Sequence, residues 1–197
     1  MECGNYREIK LTEHELKVLG RILDERLREI VKIGKQQYGI MKGRETVDAI
    51  FIARQLQEKR LEGNQELYCA FIDLEKAYNR IPREVMFWCL RKRKAPEKLV
   101  RLVEVIYERT STKVTSAVEK TENFEVSVGL QQGSALSPFL SVLVMDALSE
   151  EIRIEVLWEL LYADDLVITA EDEEDLQRKD WRVAGVFREG WHRGECE

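Results

Sequence analysis

Tyr162-Ala-Asp-Asp165 is the stretch that most restricts what this chain can become. Apolar runs flank it, Trp158–Tyr162 on one side and Leu166–Ala170 on the other. Two short strand-forming runs around a tight turn read as a β-hairpin, with the two adjacent carboxylates at its tip. Side-by-side acids repel, and turn chemistry does not require the pair. A divalent cation reverses the sign of that interaction, because hard oxygen donors suit Mg²⁺. Acid doublets in turns are more often simply solvated, so the rest of the chain must decide.

At 197 residues the chain is one domain or one large piece of a domain, long enough to bury a core. Its 44% hydrophobic and 35% charged residues describe a globular protein rather than a disordered one. The longest nearly apolar run, Pro138–Met145, is too short to span a bilayer, and no membrane partner is expected. Cys3, Cys69, Cys89 and Cys196 have no paired spacing, which argues against a zinc site or a disulfide framework. The expected setting is reducing and intracellular, in the nucleus or cytoplasm. The net charge of −6 is a weak argument against nucleic acid, but the charges segregate. Arg91–Lys94 with Lys98 and Arg101 form one basic cluster, and Lys32, Lys35, Lys42 and Arg44 form another. Each run taken alone is best read as a solvated face.

Along the chain, Thr12-Glu-His-Glu15 has the form of a capping box ahead of Leu16, Leu19, Leu23, Leu27 and Ile30 at helical spacing. After a loop over Gln37–Thr46, Val47, Ile50, Phe51 and Leu56 carry a second helix to Glu62, where Gly63-Asn64 breaks it. The apolar run Leu67–Ile72 predicts a buried strand ending on Asp73. A helix reading Val85, Met86, Cys89 and Leu90 follows Pro82, and one reading Leu99, Leu102, Val103 and Ile106 follows Pro96. Val114–Val118 and Phe124–Val128 read as short alternating strands. In the glycine-bearing loop Gly129–Pro138, Ser137 can cap and Pro138 can open a helix with Leu140, Leu143, Val144, Leu148 and Ile152 on its buried stripe. An acidic helix start follows at Glu171–Leu176, and from about Asp180 no dependable period continues. The pattern is α+β.

A strand ending in Asp73 and a hairpin tipped by Asp164 and Asp165 bring carboxylates together if the strands are neighbours in one sheet. Two divalent ions about 3.5–4 Å apart would then activate an attacking oxygen and stabilise a leaving one, as phosphoryl transfer requires.

Phe71-Ile-Asp-Leu-Glu-Lys-Ala-Tyr-Asn-Arg-Ile-Pro-Arg83, Gly129-Leu-Gln-Gln-Gly-Ser-Ala-Leu-Ser-Pro138 and Leu161-Tyr-Ala-Asp-Asp-Leu-Val167 resemble, in order, the A, B and C motifs of reverse transcriptases. The likeness is to non-LTR (LINE-type) retrotransposons, and Gln37–Thr46 looks like their fingers motif. The resemblance implies a right-hand polymerase fingers–palm unit with an antiparallel palm sheet packed on helices. It implies metal ligation by Asp73 and Asp164, with Asp165 as the third acid, and two Mg²⁺ ions for which Mn²⁺ can substitute. Tyr78 would be the steric gate under the sugar, Gln132 and Gly133 would line the nucleotide and template pocket, and Arg7 would meet the triphosphate. Lys42 and Arg44 would lie near the template, and Tyr162 would pack against the primer end. The partners implied are an RNA template, a DNA primer and dNTPs.

The chain departs from that family's pattern at Asn79 and Gln131, and more widely at its ends. It opens within the fingers, and beyond about Arg178 the expected amphipathic helix is missing. No primer-grip hairpin, thumb or endonuclease domain is expected. The expected division is partial fingers over 1–66, palm over 67–178, and a divergent tail open to disorder over 179–197. An RNA-directed DNA polymerase domain is the reading that follows. The alternatives are a truncated, inactive remnant that retains only nucleic-acid or protein binding, and another palm polymerase such as a viral RNA-directed RNA polymerase, against which Tyr162-Ala163 and the aromatic Tyr78 speak.

Overall fold

The computed structural model describes residues 10–74, 77–108, 111–115, 119–150 and 159–192. In chain order the elements are α1 (His14–Ile30), α2 (Thr46–Glu62), β1 (Tyr68–Asp73), the short α3 (Ala77–Arg80), α4 (Arg83–Lys92), α5 (Glu97–Glu108), β2 (Ser111–Thr112), β3 (Phe124–Glu125), α6 (Ser137–Ser149), β4 (Glu159–Tyr162), β5 (Asp165–Ala170) and α7 (Glu173–His192).

The main sheet has the order β1-β5-β4, antiparallel throughout. β4 and β5 are the hairpin expected around Ala163-Asp164, and β1 comes from ninety residues earlier to pair with the inner strand. On one face Leu161, Leu166, Ile168 and Ala170 are buried against the helices. The other face is open. β1 therefore alternates rather than being buried on both sides, and Phe71 is 82% exposed. The continuous apolar run of its sequence cannot distinguish these cases. A further edge is added by the loop after α1: Leu161 N–H donates to Gln36 O (3.0 Å) and Tyr38 N–H to Leu161 O (2.7 Å), a parallel bridge beside β4.

α6 is the axis of the core. Ser137 and Phe139–Ser149 are all buried, and a helix apolar on every side belongs in the middle of a fold. Pro138 sits in its first turn, where the missing N–H costs nothing. Ser137 does not cap it; its hydroxyl lies 3.0 Å from the Tyr107 hydroxyl on α5. Val85, Met86, Cys89 and Leu90 of α4 are buried as their spacing predicts. The inward face of α5 is Leu99, Val100, Val103 and Tyr107, while Leu102 is 38% exposed. Leu23 and Leu27 bring α1 onto the same core. Each fully buried Leu or Phe contributes about 1.5–3 kcal/mol relative to exposure.

Three further expectations change. α1 starts at His14 with no side-chain cap from the Thr12 segment; the capping box lies instead at α2, between Glu45 and Asp48. The second hairpin is reduced to Ser111–Thr112 paired with Phe124–Glu125, short of the strands expected at Val114–Val118 and Phe124–Val128, and residues 116–118 fall outside the described residues. Ile152 and Trp158 fall outside them too. The tail expected to be divergent from 179 is helical to His192, and Val183, Phe187 and Gly190 line its buried face. A Cβ on Gly190 would stand 2.7 Å from Leu148 Cδ2, so the two helices touch with a glycine between them. Among the described residues, no helix is long and apolar enough to cross a membrane.

If α7 is part of the cooperative core, Phe187→Ala should lower unfolding stability by about 3–5 kcal/mol in urea titration. A change under about 0.5 kcal/mol would show that the helix is not part of that core.

Candidate active site

Strand register builds the site. β1 and β5 align Asp73 opposite Asp165, and β4 and β5 align Tyr162 opposite the same residue. Directly opposed residues share a face, with Cα atoms about 4.5–5.5 Å apart. Asp73, Asp165 and Tyr162 thus stand together at one end of the open face, beside Phe71 and Val167. Asp164 occupies the turn next to them. Ala163, ahead of it, has φ 58°, the first position of a hairpin turn of the primed kind. An L-residue there carries a cost of about 1–2 kcal/mol, so surrounding contacts must hold it.

The acids feel one another. Asp165 is pushed above the ordinary aspartate range, first by partial burial and then by the charges of Asp164 and Asp73. Tyr78, on α3, is pushed up by burial and by the charge of Asp164. Ser141 of α6 lies beside the phenol and offsets part of that rise, although its buried hydroxyl completes no well-aligned hydrogen bond. Tyr78 therefore lies within electrostatic reach of Asp164.

The loop over 129–134 is fastened to α3. Leu130 N–H donates to Tyr78 O (2.7 Å), and Gln132 Nε2 donates to Asn79 Oδ1 (2.9 Å). Asn79 is thus a working partner of Gln132. Gly133 has φ 100°, and a Cβ there would lie 2.5 Å from Lys10 O, so only glycine fits. Lys10 N–H in turn donates to Gln132 O (2.9 Å).

The cations are placed less simply. Arg7 lies outside the described residues. Lys42 is exposed. Arg44 turns inward, with Nη1 donating to the carbonyls of Gly34 (2.9 Å), Lys35 (3.0 Å) and Gln37 (2.5 Å). The Tyr162 hydroxyl accepts from Thr46 Oγ1 at 2.7 Å, which ties the hairpin to the start of α2. Much of the Arg91–Arg101 cluster is engaged with acids: Arg91 with Glu97 and Glu104, Lys92 and Arg93 with Glu150, and Arg93 with the fully buried Asp146. Lys32, Lys35 and Lys42 are exposed.

Gln37 was given no role on sequence grounds. Its side chain is fully buried and meets the backbone of Ala163 and Gly39. The available signal was the glycine two residues on: Gly39 packs so close that a Cβ would lie 2.2 Å from Ala163 N.

Among the described residues, no set of three or more His, Cys, Asp or Glu is grouped tightly enough to hold an ion with protein ligands alone. The donors nevertheless fit Mg²⁺, which is commonly held by one or two carboxylates together with water and substrate phosphates.

An antiparallel sheet backed by helices, with acids from two strands at one end and helices ahead of it, is the fingers–palm architecture of a right-hand polymerase. Telomerase from Candida tropicalis, solved with a fragment of telomeric RNA, has this fold: the match covers 82% of this chain and 29% of that one, with TM-score 0.62 and 14% identity. Telomerase from Candida albicans matches over 89% of this chain and 32% of its own, with TM-score 0.60 and 12% identity. Residues 2–185 match the family described as reverse transcriptase (RNA-dependent DNA polymerase), and the chain belongs to it. Its relatives include the retrovirus-related Pol polyproteins of the R2 retrotransposable elements of Nasonia vitripennis and Drosophila melanogaster. The first is 26% identical over 96% of this chain and the second 27% over 88%. The chain spans only 19% and 17% of their lengths. The non-LTR character of the motifs is thus borne out.

Neutralising one acid should relieve repulsion and remove a ligand together. Asp164→Asn is expected to melt at or above the wild-type temperature in EDTA and to lose the extra stabilisation that Mg²⁺ gives the wild type. Equal Mg²⁺ shifts in the two proteins would contradict metal binding at this end of the sheet.

Proposed function

We propose that this chain carries the nucleotidyl-transfer site of an RNA-templated DNA polymerase, with the partial fingers over 1–66 and the palm over 67–178. The observation that carries this reading is the register that sets Asp73 opposite Asp165, with Asp164 in the adjoining turn and Tyr78 near enough to feel its charge. Asp73 and Asp164 would hold two divalent ions, with Asp165 in support. Bound there, such ions supply the activation of a primer 3′-hydroxyl and the stabilisation of the departing pyrophosphate.

The protein's own groups position the substrates. Tyr78 sets a ring under the sugar of the incoming dNTP, where a 2′-hydroxyl would collide with it. Gln132 and Gly133 form the wall against which nucleotide and template lie, a wall made narrow by Gly133. Tyr162 supports the primer end from the hairpin, and Arg7 meets the triphosphate. Template contact falls to Lys42 with Lys32 and Lys35, while Arg44 acts through the loop it braces. Each phosphate met on a single strand steepens the dependence of binding on salt by about −0.7 in log–log slope.

Primer extension on an RNA template with Mg²⁺ tests the reading. The wild type should add nucleotides and Asp164→Ala should add none, while Tyr78→Ala should raise ribonucleotide use relative to deoxyribonucleotide. Folded wild-type protein that binds the primer–template at low salt but adds nothing with excess Mg²⁺ or Mn²⁺ would overturn catalysis in favour of a binding role.

A further inference from the structure

We propose that Gln37 is a positioning residue of the polymerase site, its carboxamide gripping Ala163 so that the turn presents Asp164 and Asp165 in ligating geometry. The inference rests on the polymerase reading above. Gln37 Oε1 accepts from Ala163 N–H at 3.0 Å and from Gly39 N–H at 2.9 Å. Two N–H groups aimed at one atom identify it as the oxygen, which leaves Nε2 to donate to Ala163 O at 3.4 Å. The amide therefore holds both polar groups of the one residue in the turn that has a left-handed backbone.

That residue precedes the acids directly. The Ala163 carbonyl belongs to the peptide plane that joins it to Asp164, so a bond to it sets the direction from which Asp164 leaves the chain. Gly39 closes the grip from outside, with no room for a Cβ against Ala163 N. Gln37 is itself held on every side. Its carbonyl accepts from Arg44, its neighbours Gln36 and Tyr38 pair with Leu161 of β4, and Gly34 N–H donates to the buried Asp146 Oδ1 at 2.9 Å. Its side chain is 0% exposed and cannot reach substrate, so any effect on chemistry must pass through the turn. A glutamine that only filled space would need neither the donor nor the acceptor.

Mn²⁺ titration of the full chain, followed by the loss of free-ion paramagnetic resonance signal, tests the proposal in wild type, Asp164→Asn, Gln37→Met and Gly39→Ala. Methionine keeps the volume and loses both hydrogen-bonding functions, while Gly39→Ala drives a methyl into the turn. Groups that orient metal ligands typically change affinity about 10–100-fold, and a loss of that size is expected for Gln37→Met and for Gly39→Ala, with cooperative melting retained. In primer extension the same variants should lose kcat while KM for the dNTP holds within about twofold. Folded Gln37→Met that binds Mn²⁺ as the wild type does overturns the proposal. Should Gln37→Met not fold, wild-type affinity in Gly39→Ala overturns it equally. A wild type that binds no Mn²⁺, or that Asp164→Asn matches, defeats the polymerase reading itself and takes this inference with it.

Discussion

The pairing of β1 with β5 is the constraint on which the site depends. Side chains alternate across a strand, so a slip of one residue would send Asp73 to the helix-packed face while Asp165 stayed on the open one. The register is secured from the buried side. Ala70 and Ile72 on β1 and Leu166, Ile168 and Ala170 on β5 lie on the core side, where α7 packs on both strands. The apolar residues that stabilise the fold therefore decide, through the period of two, that the acids meet. Hydrophobic burial supplies the energy, and alternation turns it into chemical placement.

Like charges meeting at one end of a sheet work against the native state, and the structure answers this locally. The acids stand on the solvent side, where water screens them, and Asp165, which faces Asp73 across the ladder and follows Asp164 in the turn, is raised first by partial burial and then by both charges. The turn is braced from behind by the loop after α1, through Gln37 and Gly39, and that loop is braced in turn by Arg44 and Asp146. Residues far apart in the chain thus fix the tip of one hairpin. The open face, with Phe71 and Val167 next to the acids, is left free to receive a partner.

Much of this was legible before any coordinates. The hairpin, the strand ending in Asp73 and the stripes of α4 and α6 rest on local period and turn chemistry, which a single sequence carries. Side-chain destinations that depend on distant neighbours were not legible. Arg44 reads as a template cation, yet it meets three carbonyls of its own loop; Arg91 and Arg93 read as a basic footprint, yet they meet Glu97, Glu104, Glu150 and Asp146. Val47, Ile50 and Phe51 give α2 an apolar pattern, but no residue of that helix is buried. The continuation of α7 beyond Asp180 is hidden in the sequence for the opposite reason. Its inward residues include Gly190, which carries no hydrophobic signal, while Trp181, which carries a strong one, is 76% exposed.

On the function proposed above, β1 and the β4–β5 hairpin together would make one divalent-cation site. Anomalous scattering from crystals soaked in Mn²⁺ is the decisive measurement. Ion density is expected between the carboxylates of Asp73 and Asp164, with Asp165 adjoining, and its loss is expected in Asp73→Asn. Manganese bound elsewhere, with these three side chains ordered and unliganded, would contradict it.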